Sequence, residues 1–158
     1  MNEVILELGE GRLTIHGKKR IGYEMFQKGE HFLAAAILLH RHKGHQEVVI
    51  HLLCQGIEIV QKGMLLFRDF DKYEPKLQSP LGHNLIRGSK SFCEAFRLKP
   101  LKKATQQELE LLNNYYCKHL LRYGGIHDIF GRGGQDLEFQ RVIRRAAALK
   151  RYGHGLFK

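Results

Sequence analysis

Proline is scarce in this chain, with three in 158 residues, and that leaves long stretches free of the residue that breaks helix interiors. Cysteine is as rare. Cys54, Cys93 and Cys117 are the only three, with no CxxC pair among them. An odd, scattered set lying among apolar residues reads as buried, reduced thiols of a cytoplasmic protein rather than as a disulfide framework. Long hydrophobic runs are missing too. The longest, Phe32–Leu39, falls far short of the roughly 20 residues that cross a bilayer, so no membrane partner is expected. No basic start leads into a long apolar segment, so no secretory leader is expected either. Acidic side chains are the last shortage, 16 Asp and Glu against 26 Lys and Arg, for a formal charge of +10. The length suits one domain with one core, and 43% hydrophobic residues are enough to fill it.

The positive excess is clustered. Arg87, Lys90, Arg97, Lys99, Lys102 and Lys103 face only Glu94 within residues 85–103. Arg132, Arg141, Arg144, Arg145, Lys150, Arg151 and Lys158 face Asp136 and Glu138 within residues 132–158. Grouped cations favour polyanions through the release of condensed counterions. They equally describe a solvated surface that keeps the chain from self-associating.

The periodicity predicts an all-α fold. Residues 3–7 (EVILE) and 11–15 (GRLTI) around Gly9-Glu10-Gly11 have the composition of a short β-hairpin, which has to pack on the helices or pair across a dimer to persist. Helices are expected over about residues 21–41, 45–68, 81–97, 105–123 and 135–152, with a polar loop from Asp69 to Pro80. Thr105 and Glu108 have the spacing of a capping box at the start of the fourth helix. Short connections then imply an up-and-down four- or five-helix bundle. The chain divides into a hairpin extension (1–20), a helical bundle (21–152) and a fraying tail (153–158).

Inside the second helix an apolar segment carries a polar stripe: His51, Gln55, Glu58 and Lys62. Three- and four-residue spacings put these on one face. Glu58 and Lys62 are placed for an ordinary i, i+4 ion pair. They are also placed to line a polar cleft with His83 of the GHNL segment at 82–85, and Arg87 and Lys90 extend that helix's cationic face. His40, His42 and His45 cluster at the first interhelical turn. Arg41 and Lys43 are interleaved and no cysteine is near, so a protonatable surface turn is expected there and no metal or cofactor is called for. The fourth helix ends in Arg122-Tyr-Gly-Gly-Ile-His127, and a second glycine-rich break, GRGG, follows at 131–134.

Four of these features, in this order, resemble the HEPN family (higher eukaryotes and prokaryotes nucleotide-binding domain). They are FLAAAILL at 32–39, HLLCQGIEIVQKGMLL at 51–66, GHNL at 82–85, and Arg122-Tyr123 followed by a last amphipathic helix. The resemblance covers about residues 21–152 and implies a helical bundle that dimerises across its polar faces. It further implies RNA or nucleotide binding in a basic cleft lined by Glu58, Lys62, His83, Arg87 and Lys90. Many members are metal-independent endoribonucleases of toxin–antitoxin or defence systems, with an Arg followed after four to six residues by a His. Arg122 and His127 match that spacing: the Arg as phosphate clamp, the His as acid and base. Other members carry Arg-Tyr-Pro at this point and are not nucleases, and Arg122-Tyr123-Gly124 resembles that version as well. The alternative is therefore a non-catalytic module that dimerises or docks a nucleotidyltransferase-type antitoxin.

Overall fold

Thr14 opens the first helix. Its backbone is extended, and its Oγ1 accepts the N–H of Gly17 at 3.0 Å, which satisfies one of the donors that a helix start leaves over. The structure is a computed structural model that describes residues 13–118 and 139–158. Helix α1 runs Ile15–Arg41. It buries Gly22, Phe26, Gly29, Leu33 and Ala36, a stripe repeating every three or four residues. The chain then turns through Lys43, whose φ is +55°. The N–H of Gly44 reaches the carbonyl of Leu39 at 2.8 Å and that of Lys43 reaches His40 at 3.1 Å, the paired bonds of a Schellman end. Glycine is usual at the left-handed position, yet here it stands one residue later. A Cβ on Gly44 would run into the Leu39 side chain.

Helix α2, Gln46–Arg68, is the centre of the molecule. Ile50, Leu53, Cys54, Ile57, Val60, Met64 and Leu65 have no exposed surface. By length and composition α2 could cross a membrane, but 72% of its apolar window is buried inside the bundle, so its hydrophobicity is used on the core. It packs antiparallel on α1 through four glycines. A Cβ on Gly22 would lie 2.6 Å from the Phe67 nitrogen, one on Gly29 2.6 Å from the Val60 nitrogen, and one on Gly63 2.5 Å from the Phe26 nitrogen. At Gly56 the Leu33 side chain would be 2.6 Å away. The two backbones touch along this seam.

A short helix α3 (Phe70–Tyr73) and a 3-10 turn (Glu74–Lys76) follow. With Leu65, Leu66 and Leu81, Tyr73 forms a small second core beneath the segment that the sequence marks as a loop. Helix α4, Leu85–Ala95, starts at Asn84, whose Oδ1 accepts the N–H groups of Ile86 and Arg87. Helix α5 is Lys103–Cys117 and helix α6 is Gln140–Leu156. Leu85, Phe92, Leu109, Leu112, Val142, Ala146 and Leu149 close the main core over α2.

An all-helical bundle is as expected from the sequence; the element ends are not. No strand occurs among the described residues. Ile15–Arg20, assigned above to a hairpin extension, is the first part of α1. The alternation in GRLTI has no core to face, since Ile15 is 78% exposed; residues 3–7 and 11–12 lie outside the described residues. The Thr105–Glu108 capping box does not form. α5 starts two residues before Thr105 with Lys102 at its cap, and Glu108 turns away to accept the N–H of Arg141 on α6 at 3.2 Å, a tertiary partner in place of a local one. The tail does not fray at Gly153. α6 continues to Leu156, Gly153 is buried against Phe26, and Phe157 packs on Phe26 and Phe67 with ring centroids at 4.7 and 4.5 Å. Glu30 of α1 holds this end through Lys150 at 3.2 Å and through His154.

The glycine seam generates a test. Gly63→Ala puts a methyl group into backbone and is expected to destabilise the fold by about 2–4 kcal/mol in urea unfolding. Gly155→Ala, on the same scale, is expected to be neutral or to stabilise by up to about 1 kcal/mol, because nothing lies within 4 Å of a Cβ there. Equal effects at the two positions would refute the backbone contact.

Candidate functional site: a buried carboxylate between three helices

Helical geometry rotates each residue about 100° past the last, so Glu58 points roughly 200° away from Gly56. The seam against α1 therefore turns Glu58 toward α4 and α5. There it is buried, at 8% exposure. Three donors surround it: Lys62 Nζ at 2.7 Å on Oε1, Tyr116 Oη at 2.6 Å on Oε2, and His83 Nδ1 at 3.1 Å on Oε2. Lys62 Nζ also donates to the carbonyl of Gly82 at 2.6 Å. Burial pushes the Glu58 carboxyl up, but hydrogen bonds from Lys62, Tyr116 and His83, together with the Lys62 charge, outweigh it and hold the group below the usual carboxylate range. Glu58 is ionised at neutral pH.

Of the sequence candidates, the structure brings Glu58, Lys62 and His83 together. His83 is the outward member, its side chain 56% exposed against 9% for Glu58. A carboxylate on Nδ1 fixes the ring and makes Nε2 the basic nitrogen, which is the composition of a general acid–base pair. His83 owes its position to its neighbours: Asn84 caps α4, the N–H of Leu85 donates to Asn113 Oδ1 of α5 at 2.8 Å, and the Cys117 thiol donates to the His83 carbonyl at 3.1 Å. The GHNL segment is thus both a helix start and a site element.

Arg87 is exposed and donates to the carbonyl of Pro80 at 3.2 Å, on the same edge as His83. Lys90 is not part of this cluster. It stands one turn further along α4, at the rim of a separate hollow between α4 and the start of α5. Arg122 and His127 lie outside the described residues. In the histidine cluster, His40 meets the Phe139 ring edge-on at 5.4 Å, and no group of His, Cys, Asp or Glu among the described residues is arranged to hold a metal.

Two members were missed. Tyr116 reads from the sequence as an apolar-face residue of the fourth helix. A buried phenol needs a polar partner, and that requirement was the available signal. Its ring also lies 5.9 Å from His51 and 6.0 Å from His83, so the stripe on α2 extends across to α5. Gln61 was masked by its apolar surroundings. It is 1% exposed and donates to Ser89 Oγ of α4 at 2.9 Å. Cys54 and Cys117 sit beside the carboxylate. Burial raises both thiols and the Glu58 charge adds to it, so they stay protonated and are poor nucleophiles.

Glu58→Gln is expected to destabilise the protein by about 3 kcal/mol, because a buried Lys62 loses its counter-charge. Tyr116→Phe is expected to cost about 1.5–3 kcal/mol, one hydrogen bond to a charged group. The pH dependence has a definite sign. A carboxyl with a depressed folded pKa contributes stability that is complete above its unfolded value of about 4.3 and fades as pH falls through the folded value. Urea midpoints measured from neutral pH down to about pH 2.5 should therefore converge for wild type and Glu58→Gln at the acid end. A constant gap across that range would refute the ionised carboxylate. Glu30, lowered by His154 and Lys150 against its own burial, adds a slope of the same sign in both proteins.

Comparison with family models, with curated proteins and with solved structures finds no match to the chain.

Proposed function

We propose that the chain is a helical RNA- or nucleotide-binding module of the HEPN type, acting in the cytoplasm as a homodimer, and that Arg122 and His127 give it metal-independent endoribonuclease activity. The observation that carries this reading is the position of the buried carboxylate cluster. Glu58 holds His83 and Lys62 where α5 ends, and the Cys117 thiol that contacts His83 is five residues before Arg122. Arg122 and His127 follow the end of α5 in the sequence. On this reading the Arg122 fork neutralises the scissile phosphate and His127 moves the proton of the ribose 2′-hydroxyl. His83, set by Glu58, orients the bound strand, and Arg87 and Lys90 guide its backbone. The excess of cations over residues 85–103 and along α6 supports a polyanionic ligand.

One observation favours a second reading. The cluster is satisfied from within, with Lys62 held by both Glu58 and the Gly82 carbonyl, as suits a scaffold for docking. Val48 and Leu38, 45% and 60% exposed near the α1–α2 turn, then offer apolar surface to a nucleotidyltransferase-type antitoxin partner.

Incubating a mixed-sequence RNA with EDTA and the wild type, Arg122→Ala or His127→Ala protein separates the two. Cleavage by wild type alone is the expected result. Binding without cleavage in all three, weakening steeply with salt, would retain the RNA-binding module and remove the nuclease. Binding that ignores salt, or none, would leave the docking reading.

A further inference from the structure

The hollow at the other end of α4 has features that the carboxylate cluster does not use. Its volume is about 540 Å³, within the range of small-molecule sites. Ile86, Leu98, Pro100 and Leu101 wall it, and no aromatic ring is among its described lining residues. Its floor is buried: Cys93 is 7% exposed and Ser89 is 3% exposed, with the Ser89 hydroxyl held by Gln61 from behind. Lys90, Glu94 and Arg97 stand exposed at the rim, leaving one net positive charge.

Arg97 is also the residue at which α4 ends. Its φ is +53°, the left-handed position of a second Schellman end. The N–H of Leu98 reaches the Cys93 carbonyl at 2.8 Å and that of Arg97 reaches Glu94 at 3.3 Å. Glycine is the residue this position favours, since it alone adopts the conformation without steric cost. An arginine there is an exception to the local rule, and it sets a guanidinium at the mouth of an apolar hollow. Lys43 takes the same conformation at the end of α1; what distinguishes Arg97 is that it lines the hollow.

We propose that this hollow is a binding site for an amphipathic monocarboxylate. An aliphatic body would lie between Ile86, Leu98, Pro100 and Leu101, and the carboxylate would be held at the rim by Arg97 with Lys90. The absence of stacking rings among the described lining residues favours an aliphatic body over a nucleobase. The single net charge of the rim matches a single negative head. Arg97 supplies the fork that binds a carboxylate in two-point fashion. The proposal does not rest on RNA binding, although Lys90 is common to both readings.

Isothermal titration of the full chain with decanoate, decan-1-ol and butanoate tests it. Decanoate should bind saturably with one-to-one stoichiometry. Decan-1-ol, without the charge, and butanoate, without the length, should each bind at least about tenfold more weakly. Arg97→Gly separates binding from folding. Glycine relieves the left-handed residue, so the free variant should melt at the same temperature as wild type or a few degrees higher, while its decanoate affinity falls about tenfold. Arg20→Gln, an exposed charge removed from α1, should bind decanoate as wild type does. The proposal is overturned by any of four results: no saturable binding, decan-1-ol binding as tightly as decanoate, undiminished affinity in Arg97→Gly, or equal losses in Arg97→Gly and Arg20→Gln.

Discussion

The close approach of α1 and α2 governs the rest of the bundle. Gly22 and Gly29 on one helix, and Gly56 and Gly63 on the other, are each spaced by seven residues. They remove the side chains that would hold two helices at the usual 8–10 Å separation. Contact at that range commits α2 to one rotation, because any other would press a Cβ into the neighbouring backbone. The face opposite the seam must then look toward α4 and α5, and that face carries Glu58, Gln61 and Lys62. A packing constraint between two helices thus decides where a buried charge goes.

A carboxylate in that position costs desolvation, and the cost is met by unusually complete solvation from protein groups. Lys62 comes from the same helix, Tyr116 from α5 and His83 from the segment entering α4. One acidic side chain therefore ties three elements in a way that apolar packing does not. Apolar contacts tolerate small slides between helices, whereas three donors around two oxygens fix direction as well as distance. Removing a single partner is correspondingly worse than replacing the whole group with hydrocarbon. The cluster is close to the surface only through His83, so its internal order is transmitted outward through one imidazole.

The helical class, the central second helix and its polar stripe were legible because they rest on periodicity, which is a local property of the sequence. The association of Glu58 with His83 was legible for a related reason: a carboxylate within an apolar segment demands polar partners, and the histidine at the next helix start offers one beyond Lys62 on the same helix. Element ends were less legible. Glu108 has the spacing of a cap but bonds to α6. GRLTI alternates like a strand, yet it supplies the cap and first turn of α1. In each case a partner remote in sequence, or the lack of a core to face, overrides a local signal. Tyr116 was hidden by a similar ambiguity, since a tyrosine on an apolar stripe looks like core until its hydroxyl is given a partner. Lys90 was grouped with Arg87 because the two share a helix face; Lys90 lines the hollow between α4 and α5 and Arg87 is not among its lining residues.

The start of helix α4 is consequently held at two points by polar groups of α2. At its start His83 reaches Glu58, and one turn in Ser89 receives Gln61. Gly88 lies between these contacts, and a Cβ there would stand 3.0 Å from Gln61 Oε1, a tight approach to the buried amide. Beyond Ser89 the ties to α2 turn apolar, and the end of α4 is closed instead by the left-handed Arg97. The same short helix thus presents a rigidly ordered polar start and an apolar hollow at its finish. A shift of α4 along its axis would disturb both, because Glu58–His83 and Gln61–Ser89 allow no independent adjustment. Helix α4 thus joins the ordered segment at His83 and the hollow bounded by Arg97 through one element.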